Sequence, residues 1–169
     1  TNISMASCGD NATVFLIKTE KDNKYHPFLT TESNGLVQIE IEEEIIYVNC
    51  LNSETIWMIG ASHSIYHYSE TSEPKIKKFP DVKAKYISSG SSYTFVINEN
   101  DELYGLGSVF NSQDSFIKIE SIFNPIKKVV TYNDHSIALA KNHHVYAFGK
   151  GAFGSLGLSD SIKNTGNEF

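Results

Sequence analysis

Apolar residues in this chain come in short runs of four to eight, rich in Ile, Val, Tyr, Phe and Thr. Asn, Asp, Gly, Ser and Pro break them up, which is the signature of short strands joined by tight turns. Over one stretch the runs predict strands at 45–51, 55–60, 65–69 and 75–79. Over the next they predict strands at 84–89, 93–98, 102–107 and 116–120. No segment keeps apolar residues at i, i+3, i+4 and i+7 long enough for a helix. The pattern predicts an all-β chain.

The strands recur. SCGDNATVFLI from Ser7, NCLNSETIWMI from Asn49, SSGSSYTFVIN from Ser88 and VTYNDHSIALA from Val130 align, with their hydroxyl residues Thr13, Thr55, Thr94 and Ser136 spaced by 42, 39 and 42. Apolar runs follow at 14–17, 56–59, 95–97 and 137–140, then Tyr25, Tyr66, Tyr104 and Tyr146. An aromatic or apolar residue comes next at Phe28, Tyr68, Leu106 and Phe148, and two copies end at Gly107 and Gly149. Four strands in each repeat of about 42 residues describe the blades of a β-propeller. The expected organisation is one partial propeller domain over 1–169, with repeats near 1–42, 43–81, 82–123 and 124–169.

The fourth copy is the most specific. Its His135, Ser136, Ala138, Leu139, Val145, Tyr146, Gly149, Gly154, Leu156, Gly157, Leu158 and Asp160 closely resemble the repeat of the regulator of chromosome condensation family. Departures are Tyr132 for a Gly, Phe148 for Trp, Gly151 for Asn, Ser155 for Gln and Ser159 for Gly. The third copy keeps Gly90, Tyr104 and Gly107. The first keeps Gly9, and the second has Leu51 at that place. WD-repeat and kelch blades fit less well: Trp57 has no Asp after it, and the Gly-Gly doublet is missing.

The resemblance implies a seven-bladed ring, of which about four regulator of chromosome condensation-like repeats are present. It also implies a non-catalytic protein-binding module of a regulatory or scaffolding protein, with small GTPases, chromatin or ubiquitin-ligase substrates among the family's partners. The alternatives are a guanine nucleotide exchange regulator of a small GTPase, or an accessory domain of a larger signalling or ubiquitin-ligase protein. The repeat spacings leave no room for a long inserted element, so exchange would be carried by other blades or an attached domain. The chain starts at Thr1 and shows no clear fourth strand in 161–169, which suggests a fragment. End blades of a partial ring carry an apolar face, which invites self-association or completion by further blades.

Charge narrows the partners. The chain has a formal net charge of −6, and its basic residues are 14 Lys with no Arg. Phosphate neutralisation drives nucleic-acid binding, and Arg is the side chain best shaped for it, so nucleic acid and chromatin are disfavoured for this segment. Lys75, Lys77, Lys78, Lys83, Lys85, Lys127 and Lys128 alternate with apolar residues, as on strands with one wet face. Glu40, Glu42, Glu43 and Glu44 read as a solvated turn. No apolar run approaches a membrane span, and no signal-peptide core is visible at the start, so a cytoplasmic protein is expected, with the nucleus as the alternative.

Candidate chemistry is sparse. Asp134-His135-Ser136 names a hydrolase triad, but neighbouring strand residues point to opposite faces and do not converge. His143-His144 sits in a turn with no further ligand pair nearby. His63 and His67 have helical ligand spacing in a strand hairpin. Cys8, Cys50, Ser89 and Thr131 are repeat-equivalent, which points to small residues on tightly packed inner strands and to unpaired thiols in a reducing compartment. The segment 149–154 lacks the ending of a phosphate loop. The sequons at Asn2 and Asn11 are short enough to occur by chance. No catalytic, metal or cofactor residue is therefore assigned, and the chain is read as a non-enzyme.

Overall fold

A computed structural model of the chain describes residues 2–150 and 155–157. Its strands form antiparallel sheets in chain order. The first holds β1 (Asn2–Cys8), β2 (Ala12–Lys18), β3 (Tyr25–Thr31) and β4 (Val37–Gln38). The second holds β5 (Ile45–Asn52), β6 (Thr55–Gly60), β7 (Ile65–Tyr68) and β8 (Ile76–Phe79). The third holds β9 (Ala84–Ser89), β10 (Tyr93–Asn98), β11 (Leu103–Gly107) and β12 (Ser112–Lys118). The fourth holds β13 (Ile126–Tyr132), β14 (His135–Ala140) and β15 (Val145–Gly149) among the described residues. Each is a meander whose first strand is an edge. These are propeller blades, and the expected fold class holds. The place expected for a fourth strand of the last blade, 161–169, lies outside the described residues, as do Gly151, Gly154, Leu158, Ser159 and Asp160.

The chain forms two compact units, divided between Lys85 and Tyr86 inside β9. In the first unit, Val14, Leu16 and Leu29 of one sheet pack against Val48, Ile56 and Met58 of the next. In the second, Tyr93, Phe95, Ile97 and Leu103 pack against Ile126, Val129, Ala138 and Phe148. Phe95, Phe110 and Phe148 have ring centroids 5.5–5.6 Å apart, so aromatic contact adds to burial there. Phe95 and Phe148 are fully buried, which is worth about 1.5–3 kcal/mol for each, while Phe110 is half-buried.

Two hydrogen bonds recur at repeat-equivalent places. Cys50 N–H of β5 donates to Ser7 Oγ of β1 at 2.9 Å, and Thr131 N–H of β13 donates to Ser88 Oγ of β9 at 2.9 Å. Each joins the edge strand of one blade to that of the next. The first turns approach closely as well. Asp10 N–H donates to the Leu51 carbonyl at 2.8 Å, and Ser91 N–H to the Asn133 carbonyl at 3.1 Å. A Cβ on Gly9 would lie 2.1 Å from the Leu51 oxygen, and one on Gly90 2.3 Å from the Asn133 oxygen. Glycine is needed at these places because a neighbouring backbone occupies the side-chain volume.

Strand register changes two details of the repeat alignment. Cys8 pairs with Thr13 and Thr131 with Ser136, but Cys50 pairs with Ile56. A bulge between Cys50 and Asn52 adds one residue to the second copy, so Ile56 rather than Thr55 stands in the hydroxyl's place. Val96, Met58 and Ala138 face Tyr104, Tyr66 and Tyr146, but Phe15 faces Phe28. The longer β2–β3 hairpin carries Tyr25 beyond the equivalent site, to pair with Lys18. The third copy also contains a 3-10 turn, Ser108–Phe110, and β12 then starts at Ser112 instead of 116.

Replacing Gly90 with Ala is expected to lower stability by about 1–3 kcal/mol, because the new methyl meets backbone. Gly35, with nothing within 4 Å of its Cβ position, should accept Ala within about 0.5 kcal/mol. Denaturant unfolding of the two variants checks this; equal effects would contradict the close approach.

Candidate functional site

Among the described residues of the fourth repeat, the β13–β14 turn carries a polar cluster. Asp134 Oδ1 accepts hydrogen bonds from Ser91 Oγ and Ser92 Oγ at 3.1 and 3.2 Å, and Oδ2 accepts one from Lys150 Nζ at 2.9 Å. The Lys150 contact leads the causes that hold the Asp134 carboxyl below its ordinary range. In the first unit the equivalent turns are joined by Asn11, whose Oδ1 accepts from Ser53 N–H at 2.9 Å. Turn-to-turn bonding is therefore a repeat feature, made with different side chains.

His135 and Ser136 lie on opposite faces of β14. Ser136 is buried, with Oγ 3.0 Å from Thr131 Oγ1 and 3.5 Å from the Tyr93 hydroxyl. His135 is on the other face beside Tyr132, with ring centroids 6.0 Å apart. Asp134, His135 and Ser136 do not converge, and Asp134 is held by Lys150. This arrangement supports the blade.

The other candidates separate in the same way. His143 and His144 are exposed at the β14–β15 hairpin tip, where His143 takes a left-handed conformation with φ 71°. His63 lies in the β6–β7 turn with Nδ1 3.0 Å from the Ala84 carbonyl oxygen. The His67 ring lies 4.5 Å from that of Trp57, tilted by 51°, and burial, with Lys77 adding to it, pushes its pKa down to about 4, so it is neutral at pH 7. Among the described residues, no three His, Cys, Asp or Glu side chains are grouped to hold a metal ion. Asn11 uses its side chain on Ser53, and Asn2 is exposed on β1. Of the 149–154 segment, Lys150 is bonded to Asp134 and residues 151–154 lie outside the described residues.

The two cysteines are free thiols in different surroundings. Cys8 is exposed; Cys50 is buried, with Sγ 3.6 Å from the Ala12 carbonyl oxygen. Burial, followed by the nearby Cys8, pushes the Cys50 pKa up to about 12. Ser89 is buried and Thr131 half-buried at the equivalent places.

Several surface groups have closer partners than their sequence suggests. Lys77 Nζ sits 4.9 Å from the Phe79 ring centroid and Lys78 Nζ 5.1 Å from that of Tyr66. Lys83 Nζ donates to the Ser62 carbonyl at 3.0 Å. Glu40 and Glu42 are exposed, as a solvated turn requires, but Glu43 and Glu44 are half-buried. Glu43 accepts hydrogen bonds from Tyr66 and Ser62, and Glu44 from Tyr25 N–H. Burial resists ionisation of Glu43, and the Tyr66 and Ser62 donors outweigh it, so its pKa falls. In the first repeat, Asp22 bonds His26 Nε2 at 2.8 Å.

Two cavities lie in the second unit along its outer loops. One, of about 200 Å³, is lined by residues including Asp101, Glu102, Lys118, Glu120 and Phe123. The other, of about 260 Å³, shares Lys118 and Glu120 and reaches Ile117 and Phe110. No helix among the described residues is long and apolar enough to cross a membrane.

Residues 126–155 match the Regulator of chromosome condensation (RCC1) repeat. Mouse (Mus musculus) serine/threonine-protein kinase Nek9 is 25% identical over 99 residues, covering 51% of this chain and 10% of that protein. Yeast RCC1 (Prp20), in its crystal structure bound to Kap60, has a TM-score of 0.77 at 15% identity, over 99% of this chain and 48% of that one. Prp20p from Saccharomyces cerevisiae, in a crystal structure reported with its binding properties to Gsp1p and histones, has a TM-score of 0.78 at 14% identity, over 99% of this chain and 49% of that one. The chain thus spans about half the length of these structures and a tenth of the kinase. It is built from regulator of chromosome condensation-like β-propeller repeats.

Iodoacetamide at pH 8 should label Cys8 alone in the native protein. At a pKa of about 12, roughly one Cys50 in ten thousand is thiolate, and it is buried as well. Mass spectrometry should find the second label only after unfolding; equal labelling rates would contradict the burial. For Asp134 the folded pKa lies below the unfolded value, so its contribution is present above about pH 4 and lost as pH falls through the folded pKa. Asp134→Asn should be less stable than the parent at pH 7, with the difference closing in acid. A gap that persists unchanged at low pH would count against the ion pair.

Proposed function

We propose that this chain is a non-catalytic protein–protein interaction module of a regulatory or scaffolding protein. The observation that carries the reading is the match of almost the whole chain to RCC1 propeller blades. The candidate catalytic groups in the described residues are engaged in blade contacts, which supports a non-enzyme. Partner contact then falls to turns and outer loops, which differ between repeats while the order of the strands recurs. On this reading the protein works in the cytoplasm, with the nucleus as the alternative, and neither nucleic acid nor membrane is a partner of this segment.

Completion by further blades is part of this reading. Phe95, Ile97 and Leu103 are buried against the following sheet. Their repeat counterparts Ile137, Leu139 and Val145 share one face of β14–β15, where Ile137 and Leu139 are half-buried and Val145 is 64% exposed. That face has the composition of a blade interface.

The second reading is a guanine nucleotide exchange regulator of a small GTPase, or an accessory domain of a larger signalling or ubiquitin-ligase protein. Prp20p, whose structure was reported with its binding to Gsp1p, favours the first of these by fold.

Immobilised chain, incubated with extract and followed by binding measurements on each purified candidate, is expected to yield a direct protein partner. Release of fluorescent GDP from a panel of small GTPases is expected to stay at its intrinsic rate. Acceleration of about tenfold or more, the scale of a 1.4 kcal/mol change in barrier, would move the function to nucleotide exchange. Failure of every purified candidate to bind would overturn the interaction reading.

A further inference from the structure

Phe123 is 90% exposed, the highest value among the exposed large hydrophobic side chains of the described residues. It lies in the loop between β12 and β13. Each of β5, β9 and β13 opens on a fully buried residue: Ile45, Ala84 and Ile126. Three positions earlier stand Glu42, Asp81 and Phe123, all exposed. Two repeats thus place a carboxylate where the third places a phenyl ring. A single exposed ring is common on a protein surface, and this one gains meaning from the loop and the recess around it.

The loop is anchored on both sides of the ring. Ile119 and Ile122 are anchored in the core on one side. On the other, Asn124 Nδ2 donates to the Tyr146 hydroxyl at 2.6 Å, and Asn142 Nδ2 donates to Asn124 Oδ1 at 2.8 Å. Lys141 N–H closes on the Pro125 carbonyl at 2.8 Å. An aromatic side chain presented from a fixed backbone loses little entropy on being covered.

The cavity of about 200 Å³ lies beside it. Three carboxylates line the cavity, Asp101, Glu102 and Glu120, and two ammoniums, Lys118 in the wall and Lys141 on Asp101, offset two of them, which leaves one negative charge in excess. Glu102 pairs with Lys118 at 2.7 Å, and Asp101 with Lys141. Glu120 is exposed on the rim. The surface thus combines an apolar knob with a net negative recess large enough for one side chain.

We propose that Phe123 and the adjacent recess form a docking site for a protein segment carrying a lysine or arginine next to an apolar side chain. The apolar group covers the Phe123 ring, and the cation enters beside Glu120. The site rests on the protein-interaction reading and specifies where a partner binds. Charge complementarity selects the occupant: a basic segment gains from the carboxylate wall, and an acidic one is repelled.

The test is a titration of the 169-residue chain, followed by its backbone amide NMR signals. The probes are acetyl-Leu-Arg-Leu-amide, its Gln counterpart and its Glu counterpart. Saturable shifts confined to residues 100–102 and 117–125 are expected with the Arg peptide, about fivefold weaker with Gln and weaker again with Glu. Phe123→Ser should reduce affinity about tenfold while leaving the thermal midpoint unchanged, since the ring is exposed. Glu120→Lys should remove the preference for Arg. Shifts that do not saturate, that are equal for the three peptides, or that survive Phe123→Ser would overturn the site. If a purified partner binds the parent and the Phe123→Ser variant equally, this location falls and the interaction reading stands.

Discussion

A serine hydroxyl on one blade's edge strand, accepting a backbone N–H from the edge strand of the next, is the interaction on which each unit's packing depends. An edge strand presents polar groups that its own sheet leaves unpaired. Ser7 and Ser88 satisfy one such group each, in Cys50 and Thr131. The net value of each bond is modest, about 1 kcal/mol, but leaving the N–H without an acceptor would cost more. Its geometric effect is larger, because it sets how closely two first strands approach. Small residues on those strands, and glycine at two of the first turns, follow from that closeness.

Once the edges are set, alternation along each strand determines the rest. In the second unit one face of β10 supplies Tyr93, Phe95 and Ile97 to the core, and the next sheet answers with Val129, Ala138 and Phe148. The same alternation separates His135 from Ser136, which prevents a triad from three adjacent residues. The turns are bridged by side chains that vary: Asn11 with Ser53 in one unit, Ser91 and Ser92 with Asp134 in the other. The strands therefore repeat while the turns diversify, a division that suits a binding scaffold.

Much of this could be read from the residues. Strand positions, the repeat and its family resemblance follow from apolar runs and turn residues, and the predicted 55–60, 84–89 and 93–98 match β6, β9 and β10. The misread details share a cause. A bulge at Leu51 and a longer hairpin before Tyr25 shift register without disturbing the local pattern, because an apolar residue still falls near the expected place. The half-buried Glu43 was hidden in an acidic run, since its donors Ser62 and Tyr66 come from another hairpin. Phe123 carried a signal in its repeat position, visible only once the buried openings of β5, β9 and β13 align the loops.

Native-state hydrogen exchange at the Cys50 and Thr131 amides tests the blade-to-blade bond most directly. Both should be protected in the parent, and Ser7→Ala and Ser88→Ala should each speed exchange at their own partner by about fivefold, the equivalent of about 1 kcal/mol, with little change at the other. Rapid exchange at both amides in the parent, or rates unmoved by the substitutions, would contradict the account.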